Sequence, residues 1–99
     1  MIILTAKLKA KQGFEEDVEK ALLDMIPNVQ NEKDTLAYVL HRASDDPGLF
    51  MYYEQYKDND ALQLHGATPY FKKLVAALDG KLSSSPEETF YTIIGAVDR

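Results

Sequence analysis

The sequence predicts one α+β domain whose elements follow the order β-α-β-β-α-β. Three observations support this order. Apolar residues alternate as in a strand near the N-terminus and form runs of strand length in the middle and near the C-terminus. They recur with a helical period between these segments, and an acidic Pro-Gly turn joins the central strands. The 99 residues are enough for one domain and too few for two, so we expect a single domain over residues 1–99.

The N-terminal third predicts a strand followed by a helix. Residues 1–9 alternate, with Ile2 and Leu4 on one face, as in a half-buried strand. Residues 14–30 change to a helical period, and acidic residues crowd the first turn, where they interact favourably with the helix dipole. Pro27 lacks the N–H that continues a helix, so we expect a kink or an early end there.

The middle of the chain predicts a β-hairpin. Its strands cover residues 35–43 and 49–56, and the turn signal Asp45–Gly48 separates them. Both strands are apolar on both faces, as the neighbours Tyr38 and Val39 illustrate. A sheet face that is left apolar usually meets another surface, so we expect a second copy of the chain to cover it as a homodimer.

The C-terminal half predicts two helical segments and a last strand. A short helix follows the hairpin and is interrupted at Gly66. A second helix begins at Thr68-Pro69, an N-cap followed by proline in the first turn, and Gly80 is placed to end it. Residues 89–97 are predicted to form a fourth strand. The complete order is the split βαβ arrangement of ferredoxin-like folds, in which helices cover one sheet face.

Charge and composition exclude several classes of partner and site. The net charge is −5 and the basic residues are scattered, whereas nucleic acids and anionic membranes need a basic surface. The absence of cysteine excludes disulfides, thiolate metal sites and a cysteine nucleophile. It also fits a reducing compartment, and the apolar start Met1–Leu4 is too short to span a bilayer, so we expect a cytoplasmic protein.

Glu54 and His65 are the candidate catalytic residues. Glu54 lies within an aromatic strand, where a carboxylate is costly to bury without a partner. His65 lies on the helix that follows, which must fold back over the sheet and can bring the imidazole towards Glu54. A carboxylate beside an imidazole fixes its tautomer and raises its basicity. The alternatives are an edge glutamate in solvent and a histidine on the helix surface.

Tyr38, Tyr52 and Tyr56 are candidates for the wall of a binding pocket. Each offers an apolar ring with one polar tip, which suits a flat aromatic ligand. The alternative is that these rings pack only in the core or at an interface. His41, at the end of its strand, is expected to be exposed. No close spacing of ligands predicts a metal site, and the glycines are too isolated for a phosphate-binding loop.

One stretch resembles the signature of the antibiotic-biosynthesis-monooxygenase domain. It runs from an aromatic strand with a glutamate, through an acidic turn and Ala-Leu, to a helical histidine: Tyr52-Tyr53-Glu54-Gln55-Tyr56-Lys57-Asp58, Ala61-Leu62, His65 and Thr68-Pro69-Tyr70-Phe71. Thr35–Tyr38 and the Asp46-Pro47 turn are similar to the hairpin that precedes this signature in the family. The resemblance covers nearly the whole chain.

The resemblance implies a dimeric α+β barrel and, as in better-known members, oxygenation of quinols or polyhydroxylated aromatics without a cofactor. An electron-rich dihydroxyaromatic that has lost a proton can itself transfer an electron to O₂, so the protein need only bind it, remove a proton and exclude water. By position, the resemblance makes His65 the base and Glu54 its orienting partner, with Tyr38, Tyr52 and Tyr56 as walls and donors.

The chain departs from the family pattern at some positions, and two alternatives to the oxygenase remain open. Haem-degrading relatives use an asparagine on the first strand and a tryptophan on the third. The first strand of this chain has no asparagine, and the chain has no tryptophan. Tyr70 stands where many relatives have a second histidine. A similar signature occurs in a bacterial isomerase of a phosphorylated dicarbonyl, for which Arg42, Lys72 and Lys73 are the candidate phosphate ligands. The other alternative is a non-catalytic, dimeric ligand-binding module.

Overall fold

A computed structural model describes residues 1–99 as a four-stranded antiparallel sheet with helices on one face. The strand order is β2-β3-β1-β4. In chain order, the elements are β1 (Ile2–Lys9), α1 (Glu15–Leu23), α2 (Met25–Val29), β2 (Thr35–Ala43), β3 (Asp46–Tyr56), α3 (Asn59–Ala67), α4 (Pro69–Leu78) and β4 (Glu87–Tyr91). The predicted α+β, ferredoxin-like fold is confirmed.

The core lies between the sheet and the helices. Alternation along β3 turns Phe50, Tyr52, Glu54 and Tyr56 towards the helices, and all four are buried. Val18 and Leu22 of α1 are fully buried against the same face. Period-two strands and a period-3.6 helix therefore place their apolar faces against each other, as the sequence predicted.

Before the last strand, element boundaries differ from the predictions in three places. The first helix divides at Asp24, before Pro27, which occupies the first turn of α2, where an N–H has no helical partner. α3 continues through Gly66 to Ala67, since Thr68 ends α3 and caps α4 by accepting from the Phe71 N–H at 3.2 Å. Asp46–Gly48, predicted as turn, belongs to β3.

The last strand begins and ends earlier than predicted. β4 pairs with β1 from Lys7↔Glu87 to Ile3↔Tyr91 and ends there, because little of β1 remains beyond Ile3 to pair with. Residues 92–99 follow without secondary structure, and Ile94 is 99% exposed. The part of the predicted strand beyond Tyr91 therefore has no partner strand within this chain.

The sheet face opposite the helices is open and partly apolar. Val39, Tyr53 and Tyr91 lie on it, and Val39 and Tyr91 are about half exposed. The second subunit expected to cover this face stays a prediction. None of the helices has the length and apolar character that a bilayer-spanning helix needs.

Candidate active site

A cavity of about 570 Å³ opens between the helix-facing side of the sheet and helices α3 and α4. Its size is within the range of pockets that hold small organic ligands. Most of its wall is apolar, and a few polar groups interrupt it. The lining includes Leu22, Phe71, Leu74, Leu78 and Phe90 together with Tyr38, Tyr52, Glu54, His65 and Glu88.

His65 enters this cavity from the last turn of α3. The helix is positioned by Asp58, whose side chain accepts from the Ala61 N–H at 3.0 Å as an N-cap. The His65 side chain is 4% exposed. Its ring packs against Tyr38, Tyr56 and Phe71, with centroids 5.2 to 5.5 Å apart. Three aromatic rings thus hold the imidazole in one orientation.

The polar partner of His65 is Glu32. The Nδ1 atom of His65 lies 3.1 Å from Oε1 and 3.2 Å from Oε2 of Glu32. A carboxylate only accepts, so Nδ1 carries the proton and donates it to this contact. The tautomer that results has its lone pair on Nε2.

Glu32 is itself fixed by two further donors. The Thr35 hydroxyl donates to Oε1 at 2.7 Å, and the Tyr70 hydroxyl donates to Oε2. Glu32 lies in the loop between α2 and β2 and is nevertheless 9% exposed. Groups from the loop, β2, α3 and α4 therefore converge on one buried carboxylate, which satisfies its hydrogen-bonding capacity.

The Nε2 atom of His65 faces accessible space. It makes no hydrogen bond within the chain, whereas every side-chain nitrogen and oxygen that is sealed from solvent has a partner. Nε2 must therefore reach the cavity that His65 lines. A histidine held at Nδ1 by a carboxylate, with its Nε2 lone pair towards a ligand cavity, is the arrangement of a general base.

Glu54 forms a separate polar group in the same cavity. The Tyr56 hydroxyl donates to its Oε1 at 2.5 Å. Burial raises the pKa of Glu54 to about 7, and the negative charges of Glu88 and Glu32 act in the same direction, while the Tyr56 hydrogen bond opposes them. Near neutral pH, Glu54 is therefore present both as an acid, which can donate a proton, and as a carboxylate.

Tyr38 and Tyr52 form a stacked pair on the cavity wall. Their ring centroids are 4.4 Å apart, and the Tyr52 hydroxyl donates to the carbonyl of Leu22. Burial raises the pKa of both hydroxyls above the ordinary value for tyrosine. These residues consequently stay neutral at physiological pH and act as donors and flat apolar walls.

The structure brings together four of the five predicted site residues. Tyr38, Tyr52, Glu54 and His65 line the cavity, whereas Tyr56 is fully buried behind Glu54. Tyr56 is therefore not part of the cavity wall, and its hydroxyl contributes to the site through its hydrogen bond to Glu54. His41 is exposed, as predicted.

The predicted partner of His65 was wrong. Glu54 was expected to orient the imidazole, but Glu54 accepts from Tyr56 and Glu32 occupies the Nδ1 position. Two features of the sequence hide this contact. Glu32 is 33 residues from His65 in the chain, and it belongs to a loop that has the charged composition of an ordinary surface turn. Only the packing of α3 and α4 over that loop shows that Glu32 is buried.

The cavity wall contains no lysine or arginine. Arg42 pairs with Glu19 and lies over the Phe50 ring, and Lys73 lines a different depression beside α1 and α2. The chain also contains no group of three His, Cys, Asp or Glu residues arranged to hold a metal ion. The polar chemistry of the cavity consists of carboxyl, phenol and imidazole groups.

Comparison with known proteins assigns the chain to a family. The family model described as antibiotic biosynthesis monooxygenase matches residues 1–77, which include His65, Glu54 and Glu32. A comparison with curated protein sequences found no match.

Solved structures share the fold over almost the entire chain. A Caulobacter crescentus protein, described as a candidate antibiotic biosynthesis monooxygenase, is 32% identical, with 95% of this chain and 90% of that chain aligned at a TM-score of 0.86. PA3566 from Pseudomonas aeruginosa is 26% identical, with 95% and 94% aligned at a TM-score of 0.89. A structure described as antibiotic biosynthesis monooxygenase is 24% identical, with 96% and 100% aligned at a TM-score of 0.89, which is a likeness of fold. The chain therefore belongs to the antibiotic biosynthesis monooxygenase family.

Proposed function

We propose that this chain is a cofactor-independent monooxygenase of a quinol or polyhydroxylated aromatic. One observation carries the proposal: His65 presents Nε2 to an aromatic-walled cavity while Glu32 holds Nδ1. A base in a largely apolar site is what the removal of a phenolic proton requires. The family membership of the chain supports the same reaction class.

In the proposed reaction, a phenolic hydroxyl of the substrate donates its proton to Nε2 of His65. The imidazolium that forms is stabilised by the Glu32 carboxylate, which is 3.1 Å from Nδ1. The substrate anion and the imidazolium form an ion pair within the cavity. Because the apolar walls limit water, this pair is not dispersed by solvation.

The substrate anion supplies the electrons for oxygen activation. It transfers one electron to O₂, and the resulting semiquinone and superoxide combine at a ring carbon as a peroxide. His65 returns its proton to the outer peroxide oxygen, and the ring carbon that carries the peroxide loses its hydrogen as a proton while the O–O bond breaks. The outer oxygen leaves as water with these two protons, and the inner oxygen remains on the ring as a carbonyl. A quinol and O₂ thereby become a hydroxyquinone and water, with no external reductant.

Glu54, Tyr38 and Tyr52 are proposed to bind and orient the substrate. The two tyrosines offer stacking surface, and Tyr38 offers a neutral hydroxyl. Protonated Glu54 can donate to a substrate oxygen, since its pKa of about 7 keeps part of the population protonated. Hydrogen bonds of this kind strengthen as negative charge develops on that oxygen.

We also propose that the chain works as a cytoplasmic homodimer. The open sheet face and the unpaired segment after Tyr91 together expose Val39, Tyr91, Ile93, Ile94 and Val97. A partner subunit can cover these side chains and pair with the free strand end. The absence of cysteine supports a reducing compartment.

The lining of the cavity favours the oxygenase over the isomerase. A phosphorylated dicarbonyl needs cations at its phosphate, and the wall offers Glu54 and Glu88 instead. A non-catalytic binding module would use the same cavity and differs only in having no need of His65 as a base.

The decisive experiment is oxygen uptake by the purified protein with a panel of quinols and polyhydroxylated aromatics. We expect uptake above autoxidation, with one labelled atom in the product when isotopically labelled O₂ is used. His65→Gln should reduce the rate by about two to four orders of magnitude. His41→Gln, which changes the other, exposed histidine, should have no effect.

The other outcomes separate the alternatives. Binding of aromatic probes without oxygen uptake by the native protein would favour the binding module. Uptake that persists unchanged in His65→Gln would overturn the proposed role of His65.

A further inference from the structure

The cavity carries negative charge without a compensating cation. Glu54 and Glu88 line it, Glu32 lies directly behind His65, and no lysine or arginine reaches the wall. The cation of Arg42 is already paired with Glu19. The acidic character is thus a property of the site itself and not only of the overall net charge.

Glu88 lies at the solvent-exposed edge of this cavity. On β4, Glu88 is opposite Ala6 of β1, and Phe90 is opposite Leu4. Leu4 is also opposite Glu54 of β3, so Glu88 and Phe90 lie on the helix-facing side of the sheet with Glu54. Glu88 is exposed, whereas Glu54 is buried. A ligand that enters over this edge passes the Glu88 carboxylate before it reaches the inner wall.

The charge of Glu88 is felt within the cavity. It is one of the causes that raise the pKa of Glu54, and the Glu32 charge is another. A second anion brought beside Glu54 would meet the same repulsion, which water screens only weakly in a partly enclosed site.

We infer that the site selects uncharged hydroxylated aromatics and rejects their carboxylated or phosphorylated analogues, with Glu88 as a residue that determines this selectivity. The inference rests on the proposed function for the aromatic class of the substrate. The cavity geometry and the charges of its wall supply the selectivity.

Proton transfer in the proposed reaction agrees with this selectivity. A neutral quinol that donates a proton to His65 leaves the total charge of the site unchanged. A substrate that enters with a carboxylate adds a negative charge that no residue of the wall neutralises. The site is therefore suited to the transient anion formed beside the imidazolium, and not to a permanent anion elsewhere on the ligand.

The test compares two ligands of nearly equal shape, a hydroxynaphthoate and its carboxamide, by calorimetric titration at neutral pH. We expect the carboxamide to bind about tenfold more tightly than the carboxylate, the size of a single charge repulsion across a partly desolvated site. Raising the salt concentration should narrow the difference.

Two variants locate the source of the selectivity. Glu88→Gln should reduce the ratio of carboxamide affinity to hydroxynaphthoate affinity about threefold, because the hydroxynaphthoate should bind more tightly to the variant. Glu87→Gln is the matched control, because it removes the same charge from the adjacent residue, which lies opposite Lys7 on the open face. It should leave the ratio unchanged.

The comparison of binding affinities does not depend on turnover. Equal or tighter binding of the carboxylate, or no binding of either ligand, would overturn the inference, as would equal effects of the two variants. Selective binding without oxygen uptake from any quinol would retain the charge selectivity and overturn the oxygenase. Oxygen uptake without a difference in affinity between the two ligands would support the oxygenase and overturn the charge selectivity.

Discussion

Glu32 and His65 are 33 residues apart in the chain, yet the Nδ1 atom of His65 is 3.1 Å and 3.2 Å from the two carboxylate oxygens of Glu32. Both side chains are about 95% buried. This contact selects the tautomer of the imidazole and leaves its Nε2 lone pair for the cavity. In the proposed oxygenase, Glu32 is a positioning residue that acts through His65.

Glu32→Gln should lower kcat by about tenfold to a hundredfold, while KM changes little. The physical reason is that an amide neither fixes the tautomer nor stabilises the imidazolium as a carboxylate does. Steady-state oxygen uptake measures both constants. Tyr70→Phe is the control, since it removes one donor to Glu32 and leaves the contact with His65. A variant with native kcat would show that Glu32 serves stability alone.

The buried carboxyl of Glu54 should make stability depend on pH. Its pKa rises from 4.5 to about 7 in the folded state, so the folded protein retains this proton longer than the unfolded chain. The contribution to stability is fully present below about pH 4.5 and is lost as the pH rises through about 7. The loss should be on the order of 3 kcal/mol.

Glu54→Gln should remove this dependence, because glutamine does not titrate and can still accept from Tyr56. Urea unfolding across the pH range should show the variant more stable than the native protein above pH 7, with a flatter profile. Glu16→Gln, at an exposed position of α1, should leave the shape of the profile unchanged. Parallel profiles for native protein and Glu54→Gln would contradict the assignment.

Tyr56→Phe should destabilise the protein more in alkaline than in acidic solution. The Tyr56 hydroxyl donates to Glu54 and holds down the pKa of that carboxyl against burial. Without this donor, ionised Glu54 lacks a partner, which costs about 1–3 kcal/mol. Urea midpoints on the two sides of the Glu54 pKa measure the difference. Equal losses of stability below and above the Glu54 pKa would argue against a hydrogen bond from Tyr56 to ionised Glu54.

Val39→Asp should convert the proposed homodimer into monomers. Val39 is 46% exposed on the open sheet face, and a carboxylate placed there would be buried without a partner in a face-to-face dimer. Light scattering during size-exclusion chromatography should show the lower mass. Leu64→Asp is the matched control, because Leu64 is 60% exposed on α3 and distant from that face. A native protein that is already monomeric would refute the dimer.

Local patterns predicted most of the fold. The short apolar run of β2, followed by the Asp45–Gly48 turn signal, located Thr35–Ala43 at its observed bounds, because strand propensity and turn signals act over a few neighbouring residues. Thr68 and Pro69 predicted the start of α4 for an equally local reason, the unsatisfied N–H groups of a first helical turn. The fourth strand was predicted too long, since its length depends on how much of β1 is available to pair.

The sequence by itself determined the sheet, the helices and the placement of Glu54 and His65 near one face, because these follow from short-range periodicity. Only the tertiary structure decided that Glu32 is the partner of His65, that Tyr56 lies behind Glu54, and that Glu88 joins the cavity edge. These relationships join residues from different elements, and their distances arise when the helices pack on the sheet. No local pattern encodes that packing, and a charged loop such as Asn31–Asp34 looks the same whether its glutamate is in solvent or buried.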